Sequence, residues 1–192
     1  MTVEQAKQLA REMLRDRRYE HTANVADAAR RLAPVFGADA EKAELAAWLH
    51  DVMKHQSDEV LLKTMAGSAI MSDKQLQLKK KLWHAWAGGI YVKNTLGLPQ
   101  EIADAVYYHT SGRADMTALE KTVFLADYIS AERDFEGVDA VREAVKTGGD
   151  EACRLALAQT IASLTQRGSY IEEHTIEAYN FLVCALADKA AL

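Results

Sequence analysis

Residues 46–54 read Ala46-Ala47-Trp48-Leu49-His50-Asp51-Val52-Met53-Lys54, and the fold turns on how this stretch is understood. Small and apolar side chains flank an adjacent imidazole and carboxylate. A carboxylate among such neighbours must be neutralised, hydrogen-bonded or metal-bound, because burying it unpaired is costly. Six His and thirteen Asp in 192 residues would give about 0.4 His-Asp doublets by chance, so the doublet needs its context to mean anything. The bland alternative is a pair that hydrogen-bonds neighbouring helix ends.

Working outward, the context is helical throughout. Asp39 can cap a helix whose Leu45, Trp48, Leu49 and Val52 share one side. Before it, Val25, Ala28, Ala29, Leu32 and Phe36 keep the helical period from Tyr19 to a stop at Gly37. Thr2 with Gln5, and Thr117 with Glu120, form capping boxes. Ser57 starts a short helix that Gly67 interrupts, and a further segment covers roughly 73–96. Pro99 opens a helix reaching His109, Thr110 to Met116 reads as a loop, and helices follow near 117–132, 138–147, 150–166 and 174–189. No run alternates with period two, no repeat or low-complexity linker appears, and 1–192 is expected to form one all-α helical bundle.

Composition bounds the function. A net charge of −5 argues against a protein that coats nucleic acid, while leaving room for local cations that hold small phosphorylated ligands. The longest apolar stretch, Phe181 to Ala187, is too short to span a membrane, and the charged amphipathic N-terminus points to the cytoplasm. Cys153 and Cys184 lack a CxxC spacing and read as small buried residues of a reducing compartment. Lys79, Lys80 and Lys81 read as a solvated helix face.

Four further residues join the doublet. Asp127 follows Leu119, Val123 and Ala126 on the inward side of its helix, where a carboxylate needs a cation. His21, His84 and His109 each admit a simpler role, as a cap, a satisfied core histidine, or a charge at a helix C-terminus. Taken together, His21, His50, Asp51, His84, His109 and Asp127 offer imidazoles and carboxylates without thiolates. That donor set suits iron, manganese or zinc with positions left open for water, and six donors exceed the need of one ion. Two ions bridged by Asp51 would use them economically. Lys54 shares a helical face with His50 and Asp51, placing an ammonium where a phosphate oxygen could be held. Gly88, one turn beyond His84, leaves the space beside that ligand clear or serves close packing, and His55 and His174 read as surface residues.

At these residues the sequence resembles the HD-domain phosphohydrolases and, within them, the bacterial YqeK family of symmetrical dinucleoside-tetraphosphate hydrolases. The likeness is carried by Arg18-Tyr19-Glu20-His21-Thr22, His50-Asp51-Val52-Met53-Lys54, Leu82-Trp83-His84, His109-Thr110-Ser111-Gly112-Arg113, Ala126-Asp127-Tyr128-Ile129 and Arg133-Asp134-Phe135-Glu136-Gly137-Val138. It implies an HD-domain helical bundle with a di-iron site on the six residues, manganese or another divalent ion being the alternative. It also implies cleavage of diadenosine tetraphosphate to two ADP by a metal-activated hydroxide, with Asp51 and Lys54 catalytic. By position, Arg18, Lys54, Thr110, Gly112 and Arg133 would surround the phosphates or nucleoside. The partner expected is a nucleotide, with neither nucleic acid nor membrane, and with a homodimer left open.

Two departures accompany the likeness. Ser130-Ala131 stands where members often carry an acidic residue and Pro, and Tyr107-Tyr108 precede His109 where a basic residue is common. The rival readings are a nucleotidase acting on nucleoside monophosphates at a nearly identical metal core, and a nucleotide-binding regulatory module without turnover.

Overall fold

The computed structural model of the chain describes residues 1–66 and 78–190. Its described residues form ten α-helices and no strand, an all-α architecture. They are α1 (Val3–Met13), α2 (Asp16–Phe36), α3 (Ala40–Leu49), α4 (Asp58–Met65), α5 (Trp83–Asn94), α6 (Gln100–Tyr107), α7 (Ala118–Ile129), α8 (Val138–Ala144), α9 (Gly149–Gln166) and α10 (Glu173–Ala190). A 3-10 turn, Lys80–Leu82, leads into α5. Gly67 and the start of the segment expected from Asp73 lie outside the described residues.

The caps behave as their chemistry dictates. Thr2 and Gln5 close α1 with a reciprocal capping box, and Thr117 and Glu120 do the same for α7. Asp39 accepts from the amides of Glu41 and Lys42 at the start of α3, and Ser57 from Val60 at the start of α4. Gly37 ends α2 in the left-handed region at φ 72°, and the Ala38 amide reaches back to the Ala33 carbonyl at 2.9 Å. Only a residue without a Cβ takes that conformation at little cost.

α2 is the spine of the bundle, packing on α3 and α7. Ala29, Ala33, Ala43, Ala46 and Ala47 are all fully buried, and such small side chains let these helices approach closely. Around them, Leu49, Trp83, Ile102 and Leu125 are withdrawn from water, each contributing about 1.5–3 kcal/mol of burial. α5 and α6 press together hardest at Gly89. A Cβ built there would lie 2.6 Å from the Tyr107 Cβ and 2.8 Å from the Ala103 carbonyl oxygen. Gly88 serves packing too, since its added Cβ would meet the Val106 side chain at 3.1 Å.

Several boundaries fall short of expectation. α3 ends at Leu49, so the His50-Asp51 doublet stands in a succession of tight turns and not inside a helix. Amide-to-carbonyl bonds from Val52 to Leu49 (3.3 Å), Lys54 to Asp51 (2.8 Å) and Gln56 to Met53 (3.2 Å) all span three residues. That spacing still leaves Asp51 and Lys54 on one side of the turn. α6 begins after Pro99 and stops at Tyr107, two residues before His109. Cys153 is buried as expected, whereas Cys184 is exposed on α10. His55 is exposed and accepts the Arg15 amide through Nδ1 at 3.2 Å, while His174 is half-buried against Tyr108.

The α5–α6 approach yields a stability prediction. Gly89→Ala gains about 1 kcal/mol of helix propensity and loses about 1–3 kcal/mol to overpacking against backbone that cannot yield. Urea denaturation should therefore show a lower midpoint. A midpoint at or above that of the wild type would contradict the contact at Tyr107 and Ala103.

Candidate metal centre

The bundle brings all six expected donors into one cluster. His21 comes from the second turn of α2, His50 and Asp51 from the turns ending α3, and His84 from the start of α5. His109 comes from the turn after α6, and Asp127 from near the end of α7. Four imidazoles form an arc, with ring centroids 5.4 Å apart from His21 to His50, 4.9 Å from His50 to His109 and 5.3 Å from His109 to His84. Asp51 sits inside the arc, 2 % exposed. Its Oδ2 faces Nε2 of His50 (3.5 Å) and His21 (4.0 Å), and its Oδ1 faces Nε2 of His84 (3.1 Å) and His109 (3.8 Å). Asp127 Oδ1 lies 3.0 Å from His21 Nε2.

These contacts are close, yet most are not hydrogen bonds. Nε2 of His21, Nε2 of His50 and Oδ1 of Asp51 are buried without a hydrogen-bond partner among the described residues. Buried polar atoms left in this state are rare and call for an explanation. A divalent cation supplies one. His21, His50 and Asp127 can each place a donor atom within 4.8 Å of the others, as can His50, Asp51 and His109. Hard and borderline donors of this kind, with no sulfur, fit a divalent transition metal.

The far side of the imidazoles fixes their aim. His50 donates Nδ1–H to the Ala47 carbonyl at 2.6 Å, and His109 donates Nδ1–H to the Val106 carbonyl at 2.7 Å. A carbonyl only accepts, so in both rings the lone pair is on the Nε2 that faces the cluster. His21 is held differently, by the Glu132 carboxylate at its Nδ1. Glu132 is itself anchored by Asn24 at 2.7 Å and the Ser130 hydroxyl at 2.8 Å. Sequence reasoning missed Glu132. No local pattern marks it, since its partner His21 lies 111 residues away.

Burial and charge oppose one another here. Burial pushes the Asp51 carboxyl up, but His50 and His84 beside it outweigh burial and hold it well below its ordinary range. Burial also raises Asp127, and the His21 ring close beside it together with nearby positive charge overturns that effect. Both carboxylates are therefore ionised. His109 is driven down to about 3 by burial and by His50 and His84 beside it, so it stays neutral. Glu132 is desolvated, yet its bond to His21 lowers it to about 2.

Cations ring this anionic centre. Arg18 reaches Asp51 Oδ2 at 2.9 Å, and Arg133 reaches Asp127 Oδ1 at 2.6 Å and its carbonyl at 3.0 Å. Lys54 Nζ lies 3.1 Å from His84 Nε2, and burial lowers its pKa. Thr110 lines a cavity of about 190 Å3 that His109, Asp127 and Arg133 share. Gly112 is placed otherwise. At φ 65° it forms a turn against Ala178 and Met116 and is not part of the cavity lining.

Glu132 is open to test. Neutralising it with Glu132→Gln should weaken divalent-metal retention about 10–100-fold, the usual cost of removing a ligand's outer partner. Competition with a chelator measures this, with circular dichroism as the check on folding. Unchanged retention would make Glu132 a surface residue that happens to touch His21.

Comparison with known proteins agrees with the geometry. Residues 18–132 match the HD domain family. The chain is 38% identical to a Bacillus subtilis protein named bis(5'-nucleosyl)-tetraphosphatase, symmetrical, across 95% of this chain and 98% of that one. A Staphylococcus aureus protein of the same name is 32% identical, with 94% of each covered. A crystal structure from Clostridium acetobutylicum, described as a "predicted HD superfamily hydrolase involved in NAD metabolism", superposes with a TM-score of 0.86 at 28% identity, covering 96% of this chain and 98% of that one. With its donor cluster intact and this likeness running nearly end to end, the chain belongs to the HD-domain family of hydrolases, beside the symmetrical bis(5'-nucleosyl)-tetraphosphatases.

Proposed function

We propose that this protein hydrolyses dinucleoside tetraphosphates symmetrically, taking diadenosine tetraphosphate and water to two ADP. The observation that carries the reading is the meeting of six metal-type donors with three cations, Arg18, Lys54 and Arg133, in an otherwise acidic chain. The named relatives supply the substrate class.

Two divalent ions would be held by His21, His50, Asp51, His84, His109 and Asp127. The outward spread of Asp51 favours two, because its oxygens face different pairs of imidazoles. Iron is our choice of metal, with manganese or another divalent ion able to take the same donors. When bound, such ions make hydroxide available near neutral pH and draw charge from phosphoryl oxygens.

The chain's own residues do the rest. Arg18 and Arg133 have planar guanidinium groups suited to bidentate phosphate contacts. Lys54, half-buried, would place a positive charge beside the leaving phosphate, where low dielectric strengthens its effect. The buried floor of His50, Asp51 and His109 keeps bulk water away from the reacting phosphorus. Breaking the central phosphoric anhydride gives two ADP, one of which carries the solvent oxygen.

Incubating metal-replete protein with diadenosine tetraphosphate in 18O-water should give ADP as the sole initial product, with label in half of it. AMP plus ATP would defeat the symmetrical assignment. No cleavage, with phosphate released from nucleoside monophosphates, would replace it with the nucleotidase reading. A second expectation concerns Lys54. Lys54→Met keeps the apolar stem and removes the charge, so metal content should persist while turnover falls ~10–1,000-fold. Normal turnover would leave Lys54 without a catalytic role.

A further inference from the structure

The loop from Ser130 to Gly137 carries Arg133 to the metal centre, and two residues later it carries an aromatic ring to the surface. Phe135 is 38% exposed. The loop is not loose. The Arg142 guanidinium donates to the carbonyls of Ile129 (3.2 Å), Ser130 (2.9 Å) and Arg133 (2.8 Å), and the Val138 amide bonds to the Phe135 carbonyl at 3.2 Å. Gln159 of α9 donates to the Gly137 carbonyl at 3.1 Å and accepts from the Tyr128 hydroxyl at 2.9 Å. Tyr128 meets Phe135 edge to face, 5.2 Å between centroids at 85°. The Phe135 ring is thus held in place and remains partly open to solvent.

That ring lines the cavity of about 190 Å3 together with His109, Asp127, Arg133, Tyr128 and Thr160. The cavity is below the ~300–1,000 Å3 usual for a whole small-molecule ligand, so it suits one fragment of the substrate. The hydroxyl of Thr110, also in the lining, is buried with no hydrogen-bond partner among the described residues. The larger cavity near Phe36 and Gly149 touches no metal donor, and its Lys121 and Lys189 are already paired with Asp150.

The geometry points to a nucleobase pocket, in which Phe135 stacks on one purine of the substrate while Arg133, on the same loop, holds the adjoining phosphates. This rests on the nucleotide reading above. A flat aromatic fragment suits a cavity lined by the two rings of Phe135 and Tyr128. The phosphates then extend toward Asp127 and His109, where the cavity joins the metal centre. Phe135 is accordingly a binding residue that sets which end group the enzyme accepts.

Calorimetric titration of metal-loaded protein with ADP and with inorganic pyrophosphate separates the two halves of the ligand. Phe135→Ala should weaken ADP binding roughly 5–100-fold, the range for losing one base–aromatic stack. Pyrophosphate binding should stay within about twofold, and Phe135→Tyr should restore ADP affinity. In turnover, KM for diadenosine tetraphosphate should rise far more than kcat falls. Unchanged ADP affinity in Phe135→Ala overturns the pocket while leaving the hydrolase reading intact. An equal loss for pyrophosphate also overturns it, by showing general damage to the loop. A wild type that neither binds ADP nor cleaves the tetraphosphate removes the parent reading and the pocket with it.

Discussion

A single buried carboxylate, Asp51, organises this molecule. An ionised group 2 % exposed costs several kcal/mol unless it is compensated, and the compensation here is drawn from across the bundle. Arg18 and His21 come from α2, His50 from the turn after α3, His84 from α5 and His109 from the turn after α6. These groups reach one point only because their helices pack closely, through alanines on α2 and α3 and through Gly88 and Gly89 on α5. The alanine- and glycine-rich packing and the charged centre are one design constraint seen from two sides.

The same economy governs how helices stop. At the ends of α3 and α6 an imidazole turns back and donates Nδ1–H to the carbonyl three residues earlier, Ala47 for His50 and Val106 for His109. One bond engages a helix-terminal carbonyl and fixes the tautomer that aims Nε2 at the centre. Helix termination and donor orientation are therefore a single interaction. This also explains why His50 and His109 sit in turns: a side chain at a helix end is restrained by backbone it has itself bonded, while the chain remains free to change direction toward the cluster.

What was legible in the sequence was local chemistry. Capping boxes at Thr2 and Thr117, the Asp39 and Ser57 caps and the Gly37 stop are short-range patterns, and each fell where spacing put it. The six candidate donors could be grouped because their residue types share one chemistry, and the bundle brings them together. The ends of α3 and α6 were not, because the hydrophobic period runs through His50 and toward His109 while the bonds that break the helix come from the imidazoles. Glu132 was invisible because its partner His21 is 111 residues away, and nothing local marks that pairing. Gly112 reads alike in sequence whether it lines a site or forms a turn, and only the neighbouring Ala178 and Met116 decide. Cys184 sits in an apolar run that α10 presents partly to solvent.

The pairing of arginines with the two central carboxylates gives the site a charge logic of its own. Arg18 lies on Asp51 and Arg133 on Asp127, so the protein balances each buried anion with a guanidinium. Those are also the carboxylates that the proposed ions would take as ligands. A divalent cation competes strongly for a carboxylate oxygen, and each oxygen it claims leaves a guanidinium with unmatched positive charge and free donors. The two arginines, half-buried at the rim, would then meet the next anion to arrive, which is a phosphate. Metal loading and phosphate affinity would then be coupled by electrostatics, and an acidic protein would gain a local anion site as its centre is filled. The constraint that begins at Asp51 thus extends through Arg18 and Arg133 to the loop that carries Phe135.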